Sequence, residues 1–134
     1  MNFTASEWLE AAILNHFYRG ENVPPPQVFL ALYLSDPTDA DIGLEVNGEG
    51  YIPQPITFSE PEPRENETGH IINNSTEIRF PTAGADWGLI THIGIRTAAT
   101  DGNLLSHTPL RVPREIKSGD EAVFPINTVT VSVD

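Results

Sequence analysis

The chain has 134 residues, 39% hydrophobic and 8% aromatic, which is enough for one compact core and short for two. Its 19 acidic residues outnumber 7 basic ones, only one of which is lysine, and the formal net charge is −12. That balance, with arginines scattered from Arg19 to Arg114, argues against nucleic acid and anionic lipid as partners, and the lack of cysteine excludes disulfides and thiolate chemistry.

Twelve prolines and ten glycines spread along the length predict many short elements joined by tight turns, a β-rich chain rather than a helix bundle. No apolar run approaches the ~20 residues that cross a bilayer. The opening MNFTASEWLEAAIL has neither the basic start nor the cleavage site of a secretory signal. The expectation is a protein made and folded in a cell's cytoplasm, with no membrane insertion.

Residues 4 to 19 read as a helix. Thr4 is placed to cap it, Glu7 three residues on completes a capping box, and Gly20 is a natural stop. Ala5, Leu9, Ala12, Ile13, His16 and Phe17 share one face, with Trp8 on its flank. That face is expected to lie on the domain, burying Leu9, Ile13 and Phe17. Leu14 and Tyr18 fall on the side of Glu7, where a solvated helix carries polar residues. They read either as scattered surface apolarity or as a small contact patch for a neighbouring subunit.

After the Pro24-Pro25-Pro26 linker, Val28 to Leu34 is apolar on both alternating faces, the mark of a strand buried on both sides. Tyr51 to Phe58 is strand-like, but Pro53 and Pro55 lack donors on the same side, which predicts a sheet edge. Residues 59 to 70 are polar and rich in Pro and Glu, hence an exposed loop. Ile78 and Phe80 are expected to point inward. Leu89, Thr91, Ile93 and Ile95 alternate with Ile90, His92, Gly94 and Arg96, and Thr91 and Ile93 read as core positions. Asn103 to Arg111 and Ala122 to Ile126 supply further strands. Thr128 to Val133 is the clearest, with Val129, Val131 and Val133 facing one way. About eight short strands, with no internal repeat and no coiled coil, predict a mainly β chain. The expected architecture is a single β-sandwich domain over 1–134, of Greek-key or jelly-roll type, with helix 4–19 packed on it.

An enzyme needs a titratable group held against a partner in a cleft. His92 and His107 could meet across neighbouring strands, with Asp86 nearby in sequence, but His92 belongs on the face opposite Ile93. No nucleophile-elbow, zinc-protease or phosphate-loop pattern is present, so no catalytic residue is assigned. Asp36, Asp39, Asp41, Glu45 and Glu49 crowd one loop region and offer oxygen ligands for calcium. Their spacing does not fit an EF-hand, and the stronger reading is a turn opened by Asp36-Pro37 whose Asp side chains bond their own backbone. No metal or cofactor is expected. Asn2, Asn66, Asn73 and Asn74 head N-glycosylation triplets that a chain without a secretion signal leaves unused. Trp87 reads as a corner tryptophan packed under a turn, rather than as an exposed sugar platform.

The segments ALYLSDPTDADIGLEVNGEGY, ITFSEP, IRFPTAGADWGLITHIGIRTAATDGNLL and IKSGDEAVFPINTVTVSVD, in that order, resemble the small tailed-phage virion proteins usually labelled tail fibre or minor structural protein. The FP…DWG…THIGI…GNLL block is the most specific part. Family members commonly have a hydrophobic residue where Arg96 stands, and a shorter loop at 59 to 70. The resemblance implies a non-enzymatic β-sandwich subunit incorporated into virions and leaves tail fibre, baseplate, neck and capsid decoration open, with the tail, tail fibre, baseplate or neck the expected place. It would assemble with itself and with other virion proteins. The alternative is a module whose loops at 36–50 and 59–76 contact a host cell-surface receptor or glycan. A high acidic load with almost no lysine also fits a virus of a halophilic host.

Overall fold

The computed structural model describes residues 3–22, 25–65 and 67–134. Pro24 of the linker, and Asn2 and Asn66 of the glycosylation triplets, lie outside the described residues. The chain is mainly β, with several antiparallel sheets and one N-terminal helix. In order the elements are β1 (Thr4–Ala5), α1 (Glu7–Ile13) continued by a π-helical turn (Leu14–Tyr18), β2 (Phe29–Tyr33), β3 (Gln54–Pro55), β4 (Glu62–Pro63), β5 (His70–Asn73), β6 (Ile78–Arg79), β7 (Gly88–Arg96), β8 (Leu104–Ile116), β9 (Val123–Phe124) and β10 (Thr130–Val133).

Five strands form one sheet in the order β1-β8-β7-β2-β3. Strand β2 is buried on both faces, as its unbroken apolar run requires. Leu30 and Leu32 enter the main core, while Ala31 and Tyr33 pack with Leu104 in a second cluster on the other face. At the edge, β3 pairs Gln54 with Leu30 and Pro55 with Phe29. The Ile56 amide donates to the Val28 carbonyl at 2.9 Å, so Pro53 and Pro55, of opposite parity, leave their missing donors on the unpaired side.

Strand β7 departs from the expected alternation. Ile90 pairs with Arg114 but His92 with Pro109, so Thr91 stands against four residues of β8, 110–113. This bulge shifts the phase. Ile90 joins Ile93 and Ile95 in the core, Leu89 is exposed, and Thr91 is half-buried rather than a core position.

A second sheet runs β10-β5-β4 and a third pairs β6 with β9. Residues 59–70 are therefore not wholly loop: Glu62 and Pro63 pair with Ile71 and His70 to make a short hairpin. Ile78 and Phe80 are buried as expected, and Val129 is fully buried, whereas Val131 is half-buried and Val133 exposed as β10 runs out to solvent. One hydrophobic cluster joins Leu30, Leu32, Ile93 and Ile116 of the large sheet to Ile78, Phe80, Trp87 and Val129. Burial of each such side chain stabilises the fold by about 1.5–3 kcal/mol.

Trp87 is buried beneath its turn. Its Nε1 donates to the Glu49 carbonyl at 2.9 Å, its ring meets Tyr51 edge-on at 5.5 Å, and any side chain at Gly48 would collide with it. Asn74, at the head of a glycosylation triplet, is instead fully buried. Its Nδ2 donates to the carbonyls of Thr76 and Pro125, and its Oδ1 accepts from the amides of Thr128 and Val129, at 2.8–3.0 Å. No helix among the described residues is long and apolar enough to cross a membrane.

Candidate functional site

The N-terminal segment carries the most exposed apolar surface near the chain start, and its local chemistry explains why. Residues 4 and 5 are taken by β1, which pairs Thr4 with His107 and Ala5 with Ser106, so the helix begins at Glu7. The cap is Ser6 rather than Thr4. Its Oγ accepts from the Leu9 amide at 3.2 Å and donates to the Leu104 carbonyl, while its own amide donates to the Leu105 carbonyl at 2.8 Å. The Glu7 amide donates to the Asp39 carbonyl at 2.9 Å. The helix is thus pinned to the sheet through its first turn.

Beyond that turn it stands clear of the core, which corrects the expected burial of its apolar face. Leu9 is half-buried, but Ile13 is 41% and Phe17 74% exposed. The fixed contacts are confined to its first turn, and the segment continues through a π-helical turn at Leu14–Tyr18. A groove of about 240 Å³ results, lined by Trp8, Leu9, Ala12, Ile13, His16 and Phe17, with Pro25, Pro26, Val28 and Leu105 opposite. Leu14 and Tyr18 lie outside this groove and are 57% and 81% exposed. Gly20 ends the segment with φ +72, as expected of a glycine stop.

The acidic loop after β2 folds across the outer face of the large sheet, where Asp36 and Asp39 both approach His107 while Asp41 and Glu45 go to other partners. Asp36 Oδ1 accepts from the Thr38 amide at 2.9 Å, the expected Asp turn, and lies 4.0 Å from His92 Nε2 and 3.8 Å from His107 Nδ1. Asp39 meets His107 Nε2 at 2.8 Å. Asp41 takes a bidentate pair from Arg96 at 2.8 and 3.0 Å, and Arg96 also donates to Tyr33 Oη and to the Gly102 carbonyl. Glu45 accepts from Tyr51 Oη at 2.5 Å. Among the described residues no three His, Asp or Glu side chains are arranged to hold a metal ion.

The two histidines do come together through Asp36, but Asp86 is elsewhere, accepting from the Ser118 amide at 2.9 Å. Gly94, opposite His107, lets Tyr33 and Leu104 close over the sheet, since a Cβ there would lie 2.8 Å from Leu104 and 2.9 Å from Tyr33. Burial pushes the Tyr33 phenol up to about 12 although Arg96 opposes the shift. Burial also drives Tyr51 well up, with Glu45 adding to it. Glu45 itself is raised by burial, partly offset by the Tyr51 hydrogen bond. Burial opposes the Arg96 charge, yet Asp41 and Tyr33 more than compensate and hold it firmly protonated. The loop is a clasp, its charges spent on the sheet beneath. Beside it, a polar cleft of about 420 Å³ lies between residues 45–53 and 99–101, with Glu45, Asn47, Tyr51, Arg96 and Asp101 in its wall.

The family model described as podophage GP4 fiber I protein gp80 matches residues 4–132. The chain belongs to that family. No curated protein matches it. Membership in a podophage fibre family gives the chain a virion structural role among other virion proteins, and the match takes in the exposed helix as well as the sheets. Sequence reasoning singled out Leu14 and Tyr18 but missed the groove beside them. The signal was present in Phe17 and Trp8, large side chains on a helix too short and too lightly anchored to cover them.

Proposed function

We propose that this gp80-family chain is a single-domain structural subunit of the fibre of a tailed phage, associating with itself and with neighbouring virion proteins through its N-terminal helix. The observation that carries the reading is the exposed apolar side chains of one short segment fixed to the sheet at one end, Trp8, Ile13 and Phe17 at the groove and Leu14 and Tyr18 outside it. Large apolar side chains clustered on one exposed segment are what a protein interface uses. The protein has no catalytic role: His92 and His107 are engaged by the clasp and line neither the helix groove nor the polar cleft. It is made in the host cytoplasm and built into the particle there.

Immunogold labelling of intact virions with antibody to this chain tests the reading. Gold on the fibres is expected, and particles that carry none of the protein overturn it. Light scattering of the purified chain at micromolar concentration is expected to show more than a monomer. The second reading, contact with a host receptor or glycan, draws on the polar cleft, whose tyrosine, arginine and carboxylate wall suits a hydroxyl-rich ligand. Retention of the purified chain on host cell envelopes, lost on adding competing glycan, would favour it.

A further inference from the structure

The seven basic residues of the chain are not distributed evenly in function. Arg19 pairs with Glu21, Arg64 with Glu67, Arg79 with Glu77 and Glu121, and Arg96 with Asp41. Among the described residues the other three, Arg111, Arg114 and Lys117, meet no carboxylate within ion-pair distance. In a chain of net charge −12 these three fall within seven positions, Arg111 and Arg114 exposed on β8 and Lys117 just past its end, and they make a local concentration of positive charge.

Two of them, Arg111 and Arg114, flank an opening in the fold. The bulge that sets 110–113 of β8 against the single Thr91 of β7 lifts this stretch away from its neighbour, and Val112 is 69% exposed. Behind it lies an apolar slot of about 250 Å³ between β8 and β9, floored by Leu32 and Ile90 and walled by Phe124, with Arg111 and Arg114 in its lining. Arg114 pairs with the buried Ile90, on the side of the slot, but is itself exposed at its rim, whereas Glu115 pairs with the exposed Leu89. Strand β1 covers β8 only at Ser106 and His107, and among the described residues no strand pairs with the free edge from Leu110 to Ile116. Pro109 and Pro113 lack donors, so that edge cannot sustain a continuous ladder with any chance neighbour.

We infer that this slot receives an extended acidic segment of another virion protein, with an apolar side chain in the cavity and flanking carboxylates on Arg111 and Arg114. The charge complementarity chooses the occupant. Both arginines are exposed at the rim of the apolar slot, so carboxylates flanking an inserted apolar side chain gain attraction there while a basic segment meets like charge. The interrupted edge leaves recognition to the side chains rather than to the backbone. This inference rests on the reading of the chain as a virion subunit and names the chemistry of a contact distinct from the helix face.

The test places the photo-crosslinking residue p-benzoylphenylalanine at Val112 in the full chain, in phage particles grown on the host. Immunoblotting of purified particles first establishes incorporation, and its failure would sink the virion reading itself. With incorporation shown, irradiation and peptide sequencing are expected to recover a segment of a different particle protein in which Asp or Glu flanks an apolar residue. Arg111→Glu with Arg114→Glu should lower the crosslink yield at least tenfold without changing the melting temperature. If that pair lowers the melting temperature, Arg111→Gln with Arg114→Gln replaces it and should still reduce the yield severalfold. A crosslink to a second copy of this chain, to a segment without carboxylates, or to nothing overturns the inference. So does a yield indifferent to the arginines.

Discussion

At single residues, the strongest dependence falls on Asn74. A fully buried amide that satisfies two carbonyls and two amides ties the 73–76 turn to the 125–129 segment. Asn74→Ala strands all four groups, and at ~1 kcal/mol or more for each buried polar group left without a partner the loss should reach about 2–4 kcal/mol. Thermal melting should register a fall on the order of 10 °C; a variant that melts like the parent means that water or a rearranged turn replaces the amide. Glu45 gives the opposite sign. Its carboxyl is raised by burial, so the folded state holds the proton more tightly than the unfolded one. The associated stability is fully present below the ordinary carboxylate value and is lost as pH rises through the raised one. Glu45→Gln, which keeps an acceptor for Tyr51, should melt at or above the parent's temperature at pH 7, with the gap narrowing toward pH 4.5. A gap that stays constant with pH would show that ionisation at this position does not matter.

At the scale of elements, the same reasoning applies to the helix. Because Ile13 is exposed at the groove, Ile13→Asp should change stability by no more than about 0.5 kcal/mol, the range for surface substitutions. Paired with Leu14→Glu and Tyr18→Ser it should shift the purified chain toward monomer in light scattering, with an unchanged melting curve. A large loss of stability in Ile13→Asp alone would return the helix to the core. What was legible in the sequence follows a physical rule. Strand β2, the Pro53/Pro55 edge, the inward Ile78 and Phe80, and buried Trp87 were readable because burial and donor loss act at fixed periods or fixed residues. The β7 phase shift was not, because a bulge is decided by the partner strand: nothing near Thr91 announces that β8 brings four residues to meet it. The helix start was misplaced for a related reason. Thr4 and Ser6 are both competent caps, and only the pairing of residues 4 and 5 with β8, far along the chain, chooses between them. Arg96 and Asp41 were visible as residues but not as a pair, since 55 positions separate them.

At the scale of the whole molecule, the charge imbalance opposes compactness. Carboxylates that outnumber bases 19 to 7 repel one another across a small surface, and added salt shortens the reach of that repulsion from ~10 Å at 0.1 M to ~3 Å at 1 M. The melting temperature in 2 M sodium chloride should exceed that in 0.1 M by more than it does for a near-neutral β protein run as control, which also experiences the salting effect on apolar burial. A rise equal to the control's removes the reading of a brine-adapted virus and leaves the fibre assignment as it stands. The anchoring of the helix bears on timing as well. Ser6 holds the chain at Leu104, 98 residues away, so the first turn has nothing to fasten to until β8 has formed. Contacts of such long separation close late in folding. A chain still emerging from the ribosome, or one stalled before β8, therefore cannot present Phe17 and Tyr18 in their final arrangement. If assembly runs through the helix as proposed, the subunit would become competent to assemble only after its sheet is complete, and folding itself would gate the growth of the fibre.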